Sequence, residues 1–193
     1  MLNVSGMRAT RLFALLLVAL AATAFGAEQP LKVDRARSFI EVDVKSTTDS
    51  FTARLEKYQT TLGVDAGGRI KTAKLEFRFA DLKTGKAERD EKMLEWLGSA
   101  EAEGRFELGV LALAPNGEGQ TTGRLTFHGV TQRIEFPVKV VRADLTYTVK
   151  GEVTFDTRNW NLKVIRMMGL LKVDPEVKVR FQLIGDLPPP PEE

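Results

Sequence analysis

Thr72-Ala73-Lys74-Leu75-Glu76-Phe77-Arg78-Phe79 carries the pattern on which the fold turns. Ala73, Leu75, Phe77 and Phe79 alternate with Thr72, Lys74, Glu76 and Arg78, so successive side chains differ in polarity with a period of two. In an extended chain that period places every apolar group on one face and every charge on the other. A strand of this kind lies over an interior on one side and meets water on the other, the habit of antiparallel sheets.

The same alternation recurs along the chain. Ile40, Val42 and Val44 face away from Glu41 and Asp43; Ile134, Phe136, Val138 and Val140 face away from Arg133, Glu135 and Lys139. Val177, Val179, Phe181 and Leu183 oppose Glu176, Lys178, Arg180 and Gln182. Turn residues at Asp65-Ala66-Gly67-Gly68, Pro115-Asn116-Gly117 and His128-Gly129-Val130-Thr131 separate these runs. About eight strands follow, over 37–46, 51–64, 69–80, 105–113, 121–127, 133–142, 144–156 and 177–186.

One stretch is helical. Glu88–Leu97 opens with Glu88, Asp90 and Glu91, where a helix N-terminus favours negative charge, and closes with Met93, Leu94, Trp96 and Leu97. Met167–Leu171 reads either as a turn of helix or as a loop. Pro137 cannot donate to a ladder and is expected at a bulge or an unpaired position. Eight one-sided strands can close into a barrel or pack as two sheets, and periodicity does not separate the two.

The N-terminus reads differently. Arg8 and Arg11 precede the unbroken apolar run Leu12–Ala22, and small residues follow through Ala27. These are the three parts of a cleavable export signal, expected over 1–26 with cleavage between 24 and 27. Eleven apolar residues span only ~16 Å as a helix, too short for a permanent membrane anchor. No transmembrane segment is expected in the mature protein.

The 193-residue chain has 28 Lys and Arg against 26 Asp and Glu. Arg8 and Arg11 leave with the leader, so the mature chain is balanced and its charge gives no reason to expect nucleic acid. About 167 residues make one ordinary domain, expected over 27–186, with Leu187–Glu193 as a proline-rich extended tail. The absence of cysteine excludes a disulfide framework and thiol catalysis.

Side chains that could carry chemistry are few. His128 is the single histidine; as a base or metal ligand it would need companions, and it is read as a turn residue bonded to backbone. Glu88, Asp90, Glu91 and Glu95 are read as solvated helix charges that pair with Arg89 or Lys92. Trp96, Trp160, Met167 and Met168 either fill core or line a pocket mouth. No phosphate-cradling glycine loop, Gly-x-Ser-x-Gly elbow or His-Glu-x-x-His motif is present. No metal, cofactor or catalytic residue is expected.

These pieces, in this order, resemble the YceI-like family of polyisoprenoid-binding, lipocalin-like barrels. Asp34–Val42 is similar to its first strand, Ser50-Phe51-Thr52 to its Ser-Phe-Thr-Gly step with Ala53 for the glycine, and Asp174–Val179 to its closing segment. Arg89-Asp90-Glu91-Lys92-Met93 resembles its helix start, with Lys92 where the family usually has histidine. Gly123-Arg124-Leu125-Thr126-Phe127-His128-Gly129-Val130-Thr131 is nearly its hairpin motif. Its usual Tyr-Pro is absent, and Glu101–Arg105 occupies that stretch.

The resemblance implies an all-β, eight-stranded antiparallel lipocalin-like barrel with one short helix. It further implies a periplasmic binding protein, not an enzyme, that holds a long-chain isoprenoid or other lipid in an apolar tunnel. The tunnel wall is then expected from Ile40, Val42, Val44, Leu75, Phe77 and Phe79 on the early strands. Leu125, Phe127, Ile134, Phe136, Val179 and Phe181 would complete it, with Met93, Trp96, Trp160, Met167 and Met168 near its ends. Two other uses stay open: a barrel enzyme of isomerase or cyclase type, and a structural module whose interior is packed by its phenylalanines.

Overall fold

The computed structural model describes residues 28–167 and 171–189. The expected export signal over 1–26, Met168, and the tail from 190 onward lie outside the described residues. Twelve strands and one helix follow in chain order among the described residues. The strands are β1 (Gln29–Val33), β2 (Phe39–Ser46), β3 (Ser50–Leu55), β4 (Gln59–Val64), β5 (Ile70–Arg78) and β6 (Leu82–Lys83). Helix α1 (Ala87–Leu97) separates these from β7 (Glu103–Leu113), β8 (Glu118–Phe127), β9 (Val130–Ala143) and β10 (Thr146–Asp156). The chain ends with β11 (Arg166–Met167) and β12 (Leu171–Asp186).

Closure decides between barrel and sandwich. The antiparallel order β1-β4-β5-β7-β8-β9-β10-β12 returns to its start because β1 also pairs β12, at Lys32↔Asp186 and Val33↔Gly185. The result is a closed barrel of eight strand rows. β1 and β2 run one after the other along β12, β3 and β4 form a second row, and β5 and β6 a third.

Three expectations about strand limits need correction. The closing strand expected over 177–186 begins at Leu171, which pairs with Met167 as strand where a helical turn or a loop was expected. The single strand expected over 51–64 is broken at 56–58, and β1 precedes the first strand expected. All three early rows break at one level, between Val33 and Phe39, Leu55 and Gln59, and Arg78 and Leu82. The breaks hold one another: the Glu56 N–H donates to the Asp81 carbonyl at 2.9 Å, and the Arg35 guanidinium donates to the Tyr58 carbonyl. A corner shared by three rows bends the sheet, and such a bend leaves no trace in local alternation. β1, with Pro30 and few apolar groups, lacks a strand signal and forms by pairing both neighbours.

One end of the barrel is shut. Leu31, Leu62, Val64, Ile70 and Tyr147 are buried there, and the Tyr147 hydroxyl donates to the Gly68 carbonyl at 3.1 Å. Backbone pairing reaches Leu187, whose N–H donates to the Leu145 carbonyl. Pro137 sits where the β9–β10 ladder stops, since pairing runs from Ala143 only to Val138, as its missing N–H requires. Beyond that point β9 and β10 part, and Trp160 fills the space, 1% exposed and with its Nε1–H on the Leu125 carbonyl at 3.1 Å.

Candidate functional site

The barrel encloses a cavity of about 600 Å³ with walls that are almost entirely apolar. Ile40, Val42 and Val44 of β2 border it, as do Leu75 and Phe77 of β5 and Phe79 in the turn after it. Leu125 and Phe127 of β8, Ile134 and Phe136 of β9, and Val179 and Phe181 of β12 line the opposite side. Met93 and Trp96 of α1 face it from one end.

Trp160, the other tryptophan expected near an opening, does not border the cavity. It stands behind Phe127 with ring centroids 4.6 Å apart and planes 13° from parallel, so it belongs to the wall's outer layer. Met167 is placed only by its backbone, paired to Leu171, and Met168 lies outside the described residues.

Further wall residues were not legible in the sequence. Phe106, Leu108 and Leu111 of β7 all face inward, yet a bulge between Leu108 and Val110 breaks their period of two. Ala53 and Leu55 also line the cavity, and the break after Leu55 hides their relation to Leu62. Phe-Gly proximity across strands was a signal available only after pairing was known.

That proximity keeps the interior open. Phe77 pairs with Gly104 and Phe181 with Gly151. A Cβ on Gly104 would stand 2.2 Å from the Phe77 ring, and one on Gly151 would stand 2.6 Å from the Phe181 ring. Gly123 relates to Phe106 in the same way, at 2.2 Å. Each ring therefore lies against a bare stretch of wall instead of crossing the lumen, and aromatic cover over a strand glycine also repairs the weakness of that position. Inward-facing Leu75, Phe77, Val179 and Phe181 stay half-buried because they border space.

Thr60 and Thr121 line the wall deeper in, their hydroxyls donating to the Lys74 and Val110 carbonyls, and most other polar groups gather at one end. Asp49, Thr84, Lys86, Glu88, Arg89, Lys92, Lys163 and Asp174 surround the opening there. The Arg89 guanidinium lies 3.8 Å from the Phe51 ring centroid and 3.7 Å from an Asp49 oxygen, tying α1 to the β2–β3 hairpin. Asp90 accepts from the Thr84 N–H at 3.0 Å and its hydroxyl at 2.6 Å, which fixes the start of α1. The Trp96 Nε1–H donates to the Lys163 carbonyl at 2.6 Å and holds the other side of the mouth.

His128 is in the hairpin turn. It and Gly129 have φ of 49° and 72°, the two positive values a tight two-residue turn demands. Its Nδ1 is 2.9 Å from the Trp160 carbonyl, so the ring ties the turn to the wall. The four acids of α1 do not face one another across a cleft; only Glu88 borders the mouth. Among the described residues no three His, Asp or Glu side chains come together as a metal site.

A closed antiparallel barrel with an apolar cavity and one polar mouth defines a lipocalin-like ligand-binding architecture. The sequence profile of the YceI-like domain matches residues 31–184, and the chain belongs to that family. BcnA of Burkholderia cenocepacia superposes with a TM-score of 0.68 at 19% identity, covering 79% of this chain and 99% of that one. A polyisoprenoid binding domain from Saccharophagus degradans, implicated in plant cell wall breakdown, gives 0.63 at 18% identity, covering 84% and 100%. The Campylobacter jejuni YCEI protein gives 0.60 at 12%, covering 71% and 85%. A search of curated protein sequences finds no significant match.

Proposed function

We propose that this protein is an exported, periplasmic binding protein that holds a long-chain isoprenoid or other lipid in its barrel and does not transform it. The carrying observation is the cavity itself, almost entirely apolar along its length and with most of its charged groups at the mouth. Such a lumen suits a hydrocarbon chain inside and a polar head at the rim. Each buried methylene contributes ~0.8 kcal/mol, so ten carbons supply ~8 kcal/mol, equivalent to micromolar affinity before ordering costs. The family's likeness to a polyisoprenoid binding domain supports the ligand class. Burial without a directional polar anchor selects length and shape more than identity.

Binding without turnover is supported by the placement of the ionisable groups. His128 is committed to a wall carbonyl, and the charged groups that border the cavity, apart from Lys74 of β5, cluster at its mouth. A packed structural barrel is disfavoured by the open lumen.

The test is native mass spectrometry of protein purified without detergent from the producing cell. A mass increment of several hundred daltons, as an order of magnitude, is expected, and it should disappear on denaturation. The recovered chain should begin between Phe25 and Glu28. A clean apo mass, with no uptake of offered polyprenols or isoprenoid quinones, would overturn the binding reading. Full-length chain retained in the inner membrane would overturn the export reading.

A further inference from the structure

We infer that the mouth docks on an anionic lipid bilayer through Lys163, Arg166 and Lys172, with Lys86 and Lys92 facing them from α1. The inference goes beyond cargo binding and does not depend on which molecule fills the cavity. From Thr157 to Val173 the sequence holds four cations and no acid. Arg158 is committed to Asp156, its Nε 2.9 Å and 3.0 Å from the carboxylate oxygens. Lys163, Arg166 and Lys172 are exposed, and their side-chain nitrogens have no partner among the described residues.

Two observations make this arrangement unlike the rest of the barrel. Arg166 stands directly opposite Lys172 in the β11–β12 ladder, and like charges in that position repel. Several cations elsewhere on the wall are answered across strands: Arg180 by Asp43 and Glu41, Lys178 by Glu152, Lys139 by Glu118, Arg124 by Glu107. Like charges also face each other at Arg54 and Lys83, at Arg124 and Arg133, and at Lys139 and Lys150, but one member of each of those pairs meets an acid, Glu41, Glu107 and Glu118 in turn. Among the described residues, Arg166 and Lys172 are the facing pair in which neither member does. Across the opening, Lys86 and Lys92 border the mouth and are likewise unpaired. Of the rim acids, Asp49 pairs with Arg89; Asp174 accepts the Glu176 N–H but keeps its charge, so it and Glu88 stand against the five cations.

Cations distributed around an opening match a flat negative surface better than a point anion. The opening at their centre leads into an apolar lumen, which favours a lipid surface over a nucleic acid. Docked this way, the lumen would face the headgroup layer directly.

The test is co-sedimentation of the mature chain with mixed phosphatidylglycerol–phosphatidylcholine vesicles and with phosphatidylcholine vesicles alone. Binding to the mixed vesicles only is expected, and it should be abolished at ~1 M salt, where screening acts within ~3 Å. The triple variant K163Q/R166Q/K172Q should lose affinity by on the order of a hundredfold. The variant K32Q/K71Q/K150Q removes the same charge away from the mouth and should bind as the parent does. Equal binding to both vesicle types, equal loss in both variants, or capture on heparin with no vesicle binding would each overturn the docking inference. Uptake of a fluorescent long-chain probe is measured separately. Vesicle binding without uptake would overturn the cargo reading alone, and uptake without vesicle binding would overturn docking alone.

Discussion

The Phe77 ring lies across Gly104 of the neighbouring strand, so close that a single methyl group at 104 would stand 2.2 Å from its Cζ. The wall is hollowed where the ring rests, and the lumen keeps its width as a consequence.

Gly104→Ala is therefore expected to push the Phe77 ring into the cavity. Overpacking of this kind costs about 1–3 kcal/mol. Uptake of long, stiff chains should fall more than uptake of short ones, which titration with fluorescent lipids of graded length would show. Unchanged capacity for every length would mean that the ring escapes by another route.

The two tryptophans should part company on substitution. Trp160 is 1% exposed, stacked on Phe127 and hydrogen-bonded to Leu125. Trp160→Ala should cost about 3–5 kcal/mol, read as a fall in thermal midpoint. Trp96→Ala, at the mouth, should leave the midpoint within a few degrees yet weaken lipid binding several-fold. Equal effects on folding would place both in the core.

Arg89 joins α1 to Phe51 and Asp49 across the opening. A cation–π contact of this type contributes about 0.5–2 kcal/mol. Arg89→Gln should accelerate release of a bound fluorescent lipid by roughly three- to thirty-fold, while uptake slows little. Stopped-flow displacement measures both rates, and an unchanged release rate would count against a latch.

Acid should destabilise the barrel in a defined window. Hydrogen bonds from Arg180 and then Thr52 hold the Asp43 carboxyl below its ordinary value of 3.8, and Arg158 does the same for Asp156. A folded-state value below the unfolded one contributes stability in full above the unfolded value. That contribution is lost as pH falls through the folded value. The thermal midpoint should hold from neutral pH down to about 5 and drop below about 4. Asp43→Asn should lower it at pH ~7 by an amount worth at most ~1 kcal/mol, because the pair is partly exposed, and the difference should vanish in strong acid.

On the regular strands the chain's own pattern determined which residues face inward, because the period of two is a local property of an extended backbone. Ile40, Val42, Leu75, Phe77, Phe136 and Phe181 could be assigned to one interior from neighbours in sequence alone. The helix over Glu88–Leu97 and the His128-Gly129 turn were legible for the same reason, as both depend on short-range preferences.

Only the tertiary structure decided how wide that interior is and where it opens. Whether the eight phenylalanines that border the cavity fill a barrel or leave it hollow depends on which residues they meet across the sheet. Gly104 and Gly151 are 27 and 30 positions from their partners Phe77 and Phe181. The shared break in the first three rows, the bulge in β7 and the wedge of Trp160 are long-range facts too. So is the contrast between Arg166, facing Lys172, and Arg180, facing Asp43 and Glu41. Strand pairing joins residues that sequence order keeps apart, and the bore of the cavity and the charge of its rim are both properties of that pairing.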